Sequence, residues 1–179
     1  MKWHDMKEAA CPVARAMGVV GDRWTLLILR ECFLGMRRFD DFQKSLGITR
    51  HLLAERLKRL EAMGLLERRP YQERPLRHEY RLTESGKAFA PVMLALQDWA
   101  RSNLPSEAPS PLSFILRDGG EEIDPVVTDR HTGQELNHRT VLMRYRVRQE
   151  TGGAQNRVAA VICQFQQRRA ASDQRGDPR

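Results

Sequence analysis

The stretch GITRHLLAERLKRLEAMG, residues 47 to 64, constrains the chain more than any other, because its apolar and polar residues separate cleanly only on a helix. Leu53, Leu57 and Leu60 recur at helical spacing, with Leu52 and Met63 along the edge of that stripe. Thr49 stands where a side-chain oxygen caps a first turn, and Gly64 where a helix ends. The opposite face carries His51, Ala54, Glu55 and Lys58, flanked by Arg50 and Arg59. One side therefore belongs to a core, and the other is short, polar and mostly basic. A second short helical pattern, RFDDFQKSLG, precedes it. Two short helices in this order suit a helix-turn-helix, in which one helix braces and the next presents its first turns to base edges in a major groove. Thr49 to Met63 is read as the recognition helix; standing alone, the same stretch also describes an amphipathic helix with a solvated charged face.

The next segment narrows the choice. Leu65 to Arg69 reads as a strand, Gln72 to Pro75 as a turn, and His78 to Leu82 as a returning strand. A ribbon directly after a recognition helix is a wing, here spanning 65 to 82, and its tip is basic. Arg74 and Arg77, with Arg68 and Arg69 behind them, carry guanidinium groups suited to phosphate oxygens.

Around this motif the chain supplies a scaffold. Cys11-Pro12 opens a short helix whose pattern breaks at Gly18 and Gly21. Asp22 is placed to cap RWTLLILRECFLG, a run with so few polar positions that it is expected to be largely buried. Gly35 to Arg38 should turn, and Phe39, Phe42 and Leu46 should form the inner face of the bracing helix. Thr83 caps ESGKAFAPVMLALQDWARSNL, in which Pro91 produces either a kink or a restart. Phe89, Met93, Leu96 and Trp99 fall roughly on one face there, and so apolar a surface outside a closed domain points to a second copy of the chain. The fold class expected is mainly α with a small β-wing, a winged helix-turn-helix domain over 1–104. A linker over 105–111 comes next, then a small β-rich appendage over 112–148 and a tail over 149–179, helical at 157–171 and disordered from 172.

Charge agrees with the motif. The formal net charge is +7, and between Arg37 and Arg81 twelve basic residues face seven acidic ones, so the excess sits where contact with a polyanion is expected. No apolar run approaches the roughly 18 residues of a membrane span, and the opening MKWHDMKEAA lacks the apolar centre of a signal peptide, which suggests a cytoplasmic protein. Three widely spaced cysteines argue against a disulfide framework and against a zinc site built from Cys alone. The five histidines include no metal-binding helical pair, and neither a Gly-rich phosphate loop nor a Gly-x-Ser-x-Gly turn occurs. No catalytic residue, metal or cofactor is expected.

These segments together resemble the HxlR family of bacterial winged helix-turn-helix transcriptional regulators, relatives in fold of the MarR group. The resemblance runs from about Cys11 to Trp99 through CPVARAMGVVGDRW, LLILRECFLGMRRFDDFQKSLGI, LAERLKRLEAMGLLERR and PLRHEYRLTESG. It implies a homodimer whose terminal helices form the interface, two recognition helices in successive major grooves, and wings on the flanking backbone. Longer members carry a ribbon-like segment with three cysteine positions after the linker. The matching stretches here are Gly119-Gly120, Pro125 to Val127 and Asp129 to Gly133, and all three cysteines are replaced, so no closed four-ligand zinc site can be built from them.

The residues expected to meet DNA are Thr49, Arg50, His51, Glu55, Lys58, Arg59, Arg74 and Arg77, and those expected between subunits are Phe89, Met93, Leu96 and Trp99. A winged-helix module that binds another protein instead of DNA is the alternative; it predicts little salt dependence, whereas contact through several arginines predicts a steep one. A small-molecule or oxidant effector is also compatible. For the oxidant, Cys11 is the candidate, because a helix start favours a thiolate and the resemblance places a Cys-Pro here. The other reading of Cys11 is a small residue tolerated at a helix start.

Overall fold

The computed structural model describes residues 9–104, 107, 108, 110 and 112–141. These fall into two compact units divided between Pro125 and Val126. The tail expected over 149–179 and most of the last expected strand lie outside the described residues.

The first helix among the described residues, α1 (Pro12–Val20), has Pro12 in its first turn and runs through the buried Gly18 instead of breaking there. Its real end is Gly21, whose backbone N–H donates to the Met17 carbonyl. Helix α2 (Arg23–Phe33) starts at once, because Asp22 accepts the Trp24 and Thr25 backbone N–H groups, each at 3.1 Å. As expected, α2 is largely covered: Ile28 and Leu29 have no exposed surface. Less expected, Thr25 and Glu31 are buried with them.

Helices α3 (Phe39–Leu46) and α4 (Arg50–Ala62) form the helix-turn-helix. Gly47, at φ +61°, turns the chain between them in a conformation other residues rarely adopt. Phe42 from α3 and Leu53, Leu57 and Leu60 from α4 meet α2 in one core with Val20, Ile48, Leu65 and Leu66. Thr49 caps α4 by accepting the Leu52 N–H. At the other end the Leu65 N–H reaches back to the Leu60 carbonyl and Gly64 N–H to Glu61, a pairing that satisfies two free carbonyls and needs the positive φ of Gly64.

Strands β1 (Leu66–Glu73) and β2 (Leu76–Leu82) pair antiparallel from Leu66↔Leu82 to Glu73↔Leu76. The ribbon is longer than expected and its turn shorter, with Tyr71 left unpaired where the register shifts. A single bridge, Arg38↔Glu79, adds a third backbone to the sheet, and the Tyr80 N–H donates to the Arg37 carbonyl at 2.7 Å. Thr83 then ties the base of the wing to the next turn of helix: its hydroxyl donates to the Gly64 carbonyl at 2.5 Å and accepts the Gly86 N–H at 3.1 Å. That turn, the short helix α5 (Glu84–Lys87), precedes α6 (Ala90–Asn103), so Pro91 marks a restart and not a kink.

After α6 the chain holds the bridge Ile115↔Glu122, and in the second unit Thr128↔Glu135. Among the described residues, the strands expected from 112 to 129 are thus present as bridge-closed turns. Pro125 has no backbone N–H to donate to a ladder, and Ile115, Val126 and Val127 are exposed among the described residues. In the second unit the Asp129 carboxylate accepts the His131 and Thr132 N–H groups and the Thr132 hydroxyl, closing the turn with side-chain hydrogen bonds.

Candidate nucleic-acid interface

The outward face of α4 is assembled by what its inner face buries. With Leu53, Leu57 and Leu60 pinned in the core, His51, Ala54, Glu55 and Lys58 are all exposed. Neither His51 nor Lys58 has a side-chain partner among the described residues. Arg50, 71% exposed at its side chain, lies over the Phe39 ring at 4.9 Å and approaches Asp40 at 3.5 Å. That stacking holds the guanidinium at the junction of α3 and α4, and a screened pair this long restrains it weakly. Glu55 accepts Arg56 Nη1 at 2.6 Å, so its charge is partly spent within the helix.

Arg59 departs from its expected place. Its Nη2 donates to the Gly18 carbonyl at 2.7 Å and its Nη1 lies 3.9 Å from Asp22, with only 25% of the side chain exposed. The physical reason is that the last turn of α1 leaves carbonyls without intrahelical partners, and a cation there also meets the negative end of the helix dipole. Arg56, which the sequence did not single out, does the same work from one turn earlier by donating Nε to Asp22 at 3.1 Å. Burial alone would raise the Asp22 pKa, but hydrogen bonds from the Thr25 hydroxyl and backbone and the charge of Arg56 outweigh it, and the carboxyl titrates below its ordinary range. Asp22 therefore caps α2 and clamps α4 with one carboxylate.

The wing carries Arg74 and Arg77 at its exposed tip, where Gln72 Nε2 donates to the Arg74 carbonyl at 2.9 Å and braces the turn. Arg38 lies over the Tyr71 ring at 4.8 Å, which fastens the unpaired residue of β1 to the start of α3. Together with Arg37 and Lys44, Arg38 also lines a polar groove of about 660 Å³ opposed by Asp41 and Glu79. The sequence signal for this groove was weak, because it depends on the Arg38↔Glu79 bridge, a pairing distant in the chain.

On α6 no residue is buried, and Val92, Leu96 and Trp99 are 49%, 42% and 53% exposed. Phe89 and Met93, expected on the same face, are half-buried, and Phe89 packs against the domain's own core. Cys11 is exposed at the start of α1, and the nearby Arg15 guanidinium is bonded to the Ala9 and Ala10 carbonyls at 2.8 and 3.0 Å; Lys7 lies outside the described residues. Cys32 is a different thiol: burial, then the charge of Glu31, pushes it up to about 12. Among the described residues no helix is long and apolar enough to cross a membrane, and no three metal-ligating side chains converge.

Comparison with known proteins gives the same picture. A family model for the HxlR-like helix-turn-helix matches residues 19–108. An uncharacterised HTH-type transcriptional regulator of Mycobacterium tuberculosis is 43% identical over 129 residues, covering 72% of this chain and 82% of that protein. The uncharacterised HTH-type transcriptional regulator YybR of Bacillus subtilis is 34% identical over 94 residues, 52% of this chain and 75% of YybR. Among solved structures, the candidate transcription factor PA1607 superposes with a TM-score of 0.71 at 34% identity, covering 79% of this chain and 99% of that one. With the family model over half of its length and a relative of this identity over most of it, the chain belongs to the HxlR family of winged helix-turn-helix transcriptional regulators.

Proposed function

We propose that the chain is a cytoplasmic, sequence-specific DNA-binding regulator that acts as a homodimer and not as an enzyme. The observation that carries this reading is the asymmetry of α4, buried along Leu53, Leu57 and Leu60 and without protein partners at His51 and Lys58 among the described residues. Such a face, next to an arginine-tipped ribbon, fits a major groove flanked by phosphates. In this assignment Arg50, His51, Glu55 and Lys58 approach base edges, Thr49 sets the start of the helix, and Arg74 and Arg77 hold the backbone. Arg59 braces the helix from behind. Val92, Leu96 and Trp99 supply the dimer contact, with Met93 at its edge, and half-sites are spaced about one turn of DNA, roughly 34–36 Å. The winged helix-turn-helix domain is assigned to 1–104, the linker to 105–111, the appendage to 112–148 and the tail to 149–179.

Cys11 is proposed as an oxidant-responsive thiol on the strength of its exposure at the first turn of α1, a helix that Arg59 ties to α4. The test of the whole reading is a titration of the protein against its own upstream intergenic DNA with excess nonspecific competitor at two salt concentrations. Tight, competitor-resistant binding that weakens steeply with salt is expected. Salt-insensitive behaviour with no DNA preference would favour a protein-binding module instead.

A further inference from the structure

The chain enters the helix-turn-helix through a residue ill suited to that place. Position 38 is the N-cap of α3, where a short polar side chain ordinarily accepts a backbone N–H, yet Arg38 makes no capping hydrogen bond. Its guanidinium forms no ion pair or hydrogen bond among the described residues either, and instead lies over the face of Tyr71, 4.8 Å from the ring centroid. The Arg38↔Glu79 bridge sets the Arg38 backbone along the free edge of β2, so the side chain passes that strand to reach Tyr71 on β1. Its neighbour reaches the other way: the Phe39 ring lies under the Arg50 guanidinium at 4.9 Å. Two adjacent residues thus touch the wing on one side and the first residue of the recognition helix on the other.

The wing contact falls where the ribbon is weakest. Tyr71 is left without a ladder partner at the register shift, and Pro70 before it has no N–H to give. Among the described residues, the tip beyond that bulge is held by the pairs Gln72↔Arg77 and Glu73↔Leu76 and by the hydrogen bond from Gln72 to the Arg74 carbonyl. A hairpin hung from a bulge can bend there, and a guanidinium stacked on the bulged residue removes that freedom. We infer that Tyr71 is a positioning residue: through Arg38 and Phe39 its ring fixes the tip of the wing, with Arg74 and Arg77, at a set distance from Arg50. The inference rests on the DNA-binding reading, in which the tip holds phosphates and Arg50 approaches base edges. Only the aromatic face of Tyr71 is needed for this, not its hydroxyl.

Substitutions of the full-length protein separate the ring from its hydroxyl. Tyr71→Phe keeps the aromatic face and should match wild type both in operator affinity and in the order of the Arg74 and Arg77 backbone amides, measured by nitrogen-15 relaxation without DNA. Tyr71→Leu loses the face. Order parameters at the tip should then fall from about 0.85 toward about 0.6, and operator affinity should drop by about two- to fivefold per wing, the equivalent of one exposed cation–π contact. Added to Arg74→Ala with Arg77→Ala, Tyr71→Leu should weaken binding no further, a result that general destabilisation would not produce.

The inference is overturned if Tyr71→Leu leaves either tip order or operator affinity at the wild-type value. It is equally overturned if Tyr71→Phe loses affinity as Tyr71→Leu does, since the hydroxyl would then be the contact, or if Tyr71→Leu weakens binding as much in the double-alanine background as alone. The relaxation measurement keeps the two readings apart. A tip that loosens in Tyr71→Leu, in a protein without competitor-resistant DNA binding, keeps the brace and removes its DNA role together with the regulator reading. A protein that binds operator while its tip stays ordered in Tyr71→Leu removes the brace alone.

Discussion

Removing the Asp22 carboxylate should loosen two helices at once. In the folded protein it accepts two backbone N–H groups at the start of α2, the Thr25 hydroxyl at 2.5 Å and Arg56 Nε at 3.1 Å, with 15% of the side chain exposed. Losing an N-cap costs roughly 0.5–2 kcal/mol and losing a hydrogen bond to a charged group about 1.5–3 kcal/mol. The contributions share one side chain and overlap, so Asp22→Ala should destabilise by about 2–4 kcal/mol, and Asp22→Asn, which still caps but cannot neutralise Arg56, by about 1–2 kcal/mol. Urea unfolding followed by far-ultraviolet dichroism at one fixed protomer concentration measures both, the concentration being held because the proposed dimerisation would contribute to apparent stability. Since the Asp22 pKa is lowered on folding, its contribution is complete above the unfolded carboxylate value near 4 and fades as pH falls through the lower folded value. Wild type should therefore lose stability below pH 4 more steeply than Asp22→Asn does. If Asp22→Ala costs less than about 0.5 kcal/mol, or its acid limb matches wild type, the clamp does not exist as described.

Arg50→Ala with Lys58→Ala should reduce discrimination between operator and unrelated DNA, each good base contact being worth about 1–3 kcal/mol, and unchanged operator affinity at physiological salt would refute the reading face. Arg74→Ala with Arg77→Ala should weaken all sequences alike and flatten the salt dependence by about two in slope; altered sequence preference with the slope intact would contradict this. Trp99→Asp should shift the protein toward monomer by analytical ultracentrifugation at micromolar concentration, whereas a wild type already monomeric there removes the premise. Gly86→Ala places a Cβ 2.2 Å from the Leu65 carbonyl oxygen and should destabilise by roughly 1–3 kcal/mol, because the backbone at the base of the wing must move; a melting temperature equal to wild type would show that it yields freely.

The parts of the fold that were legible in the sequence are those whose signal is local. The leucine spacing of α4, the Thr49 and Asp22 caps and the helix-ending Gly64 each act within a few residues, and the structure uses them as expected. What escaped depends on contacts distant in the chain. A charged residue such as Glu31 reads as surface until the packing of α2 buries it beside Arg30. Arg56 and Arg59 border the apolar stripe, and their long side chains can turn either way; the free carbonyl of Gly18 and the Asp22 carboxylate, tens of residues away, decide that they turn inward. In the same way, helical spacing grouped Met93 with Trp99, but the segment after α6 folds back and divides that apolar surface into a cleft side and an open side.

The inward turn of Arg56 and Arg59 has an evolutionary corollary. Their charges maintain the domain, whereas Ala54 is exposed and His51 and Lys58 are exposed with no side-chain partner among the described residues. Exposed positions of that kind tolerate substitution within about 0.5 kcal/mol. If this face reads DNA as proposed, descendants of this chain could exchange one operator for another through substitutions at exposed positions such as His51 and Lys58, without first acquiring a compensating mutation in the core.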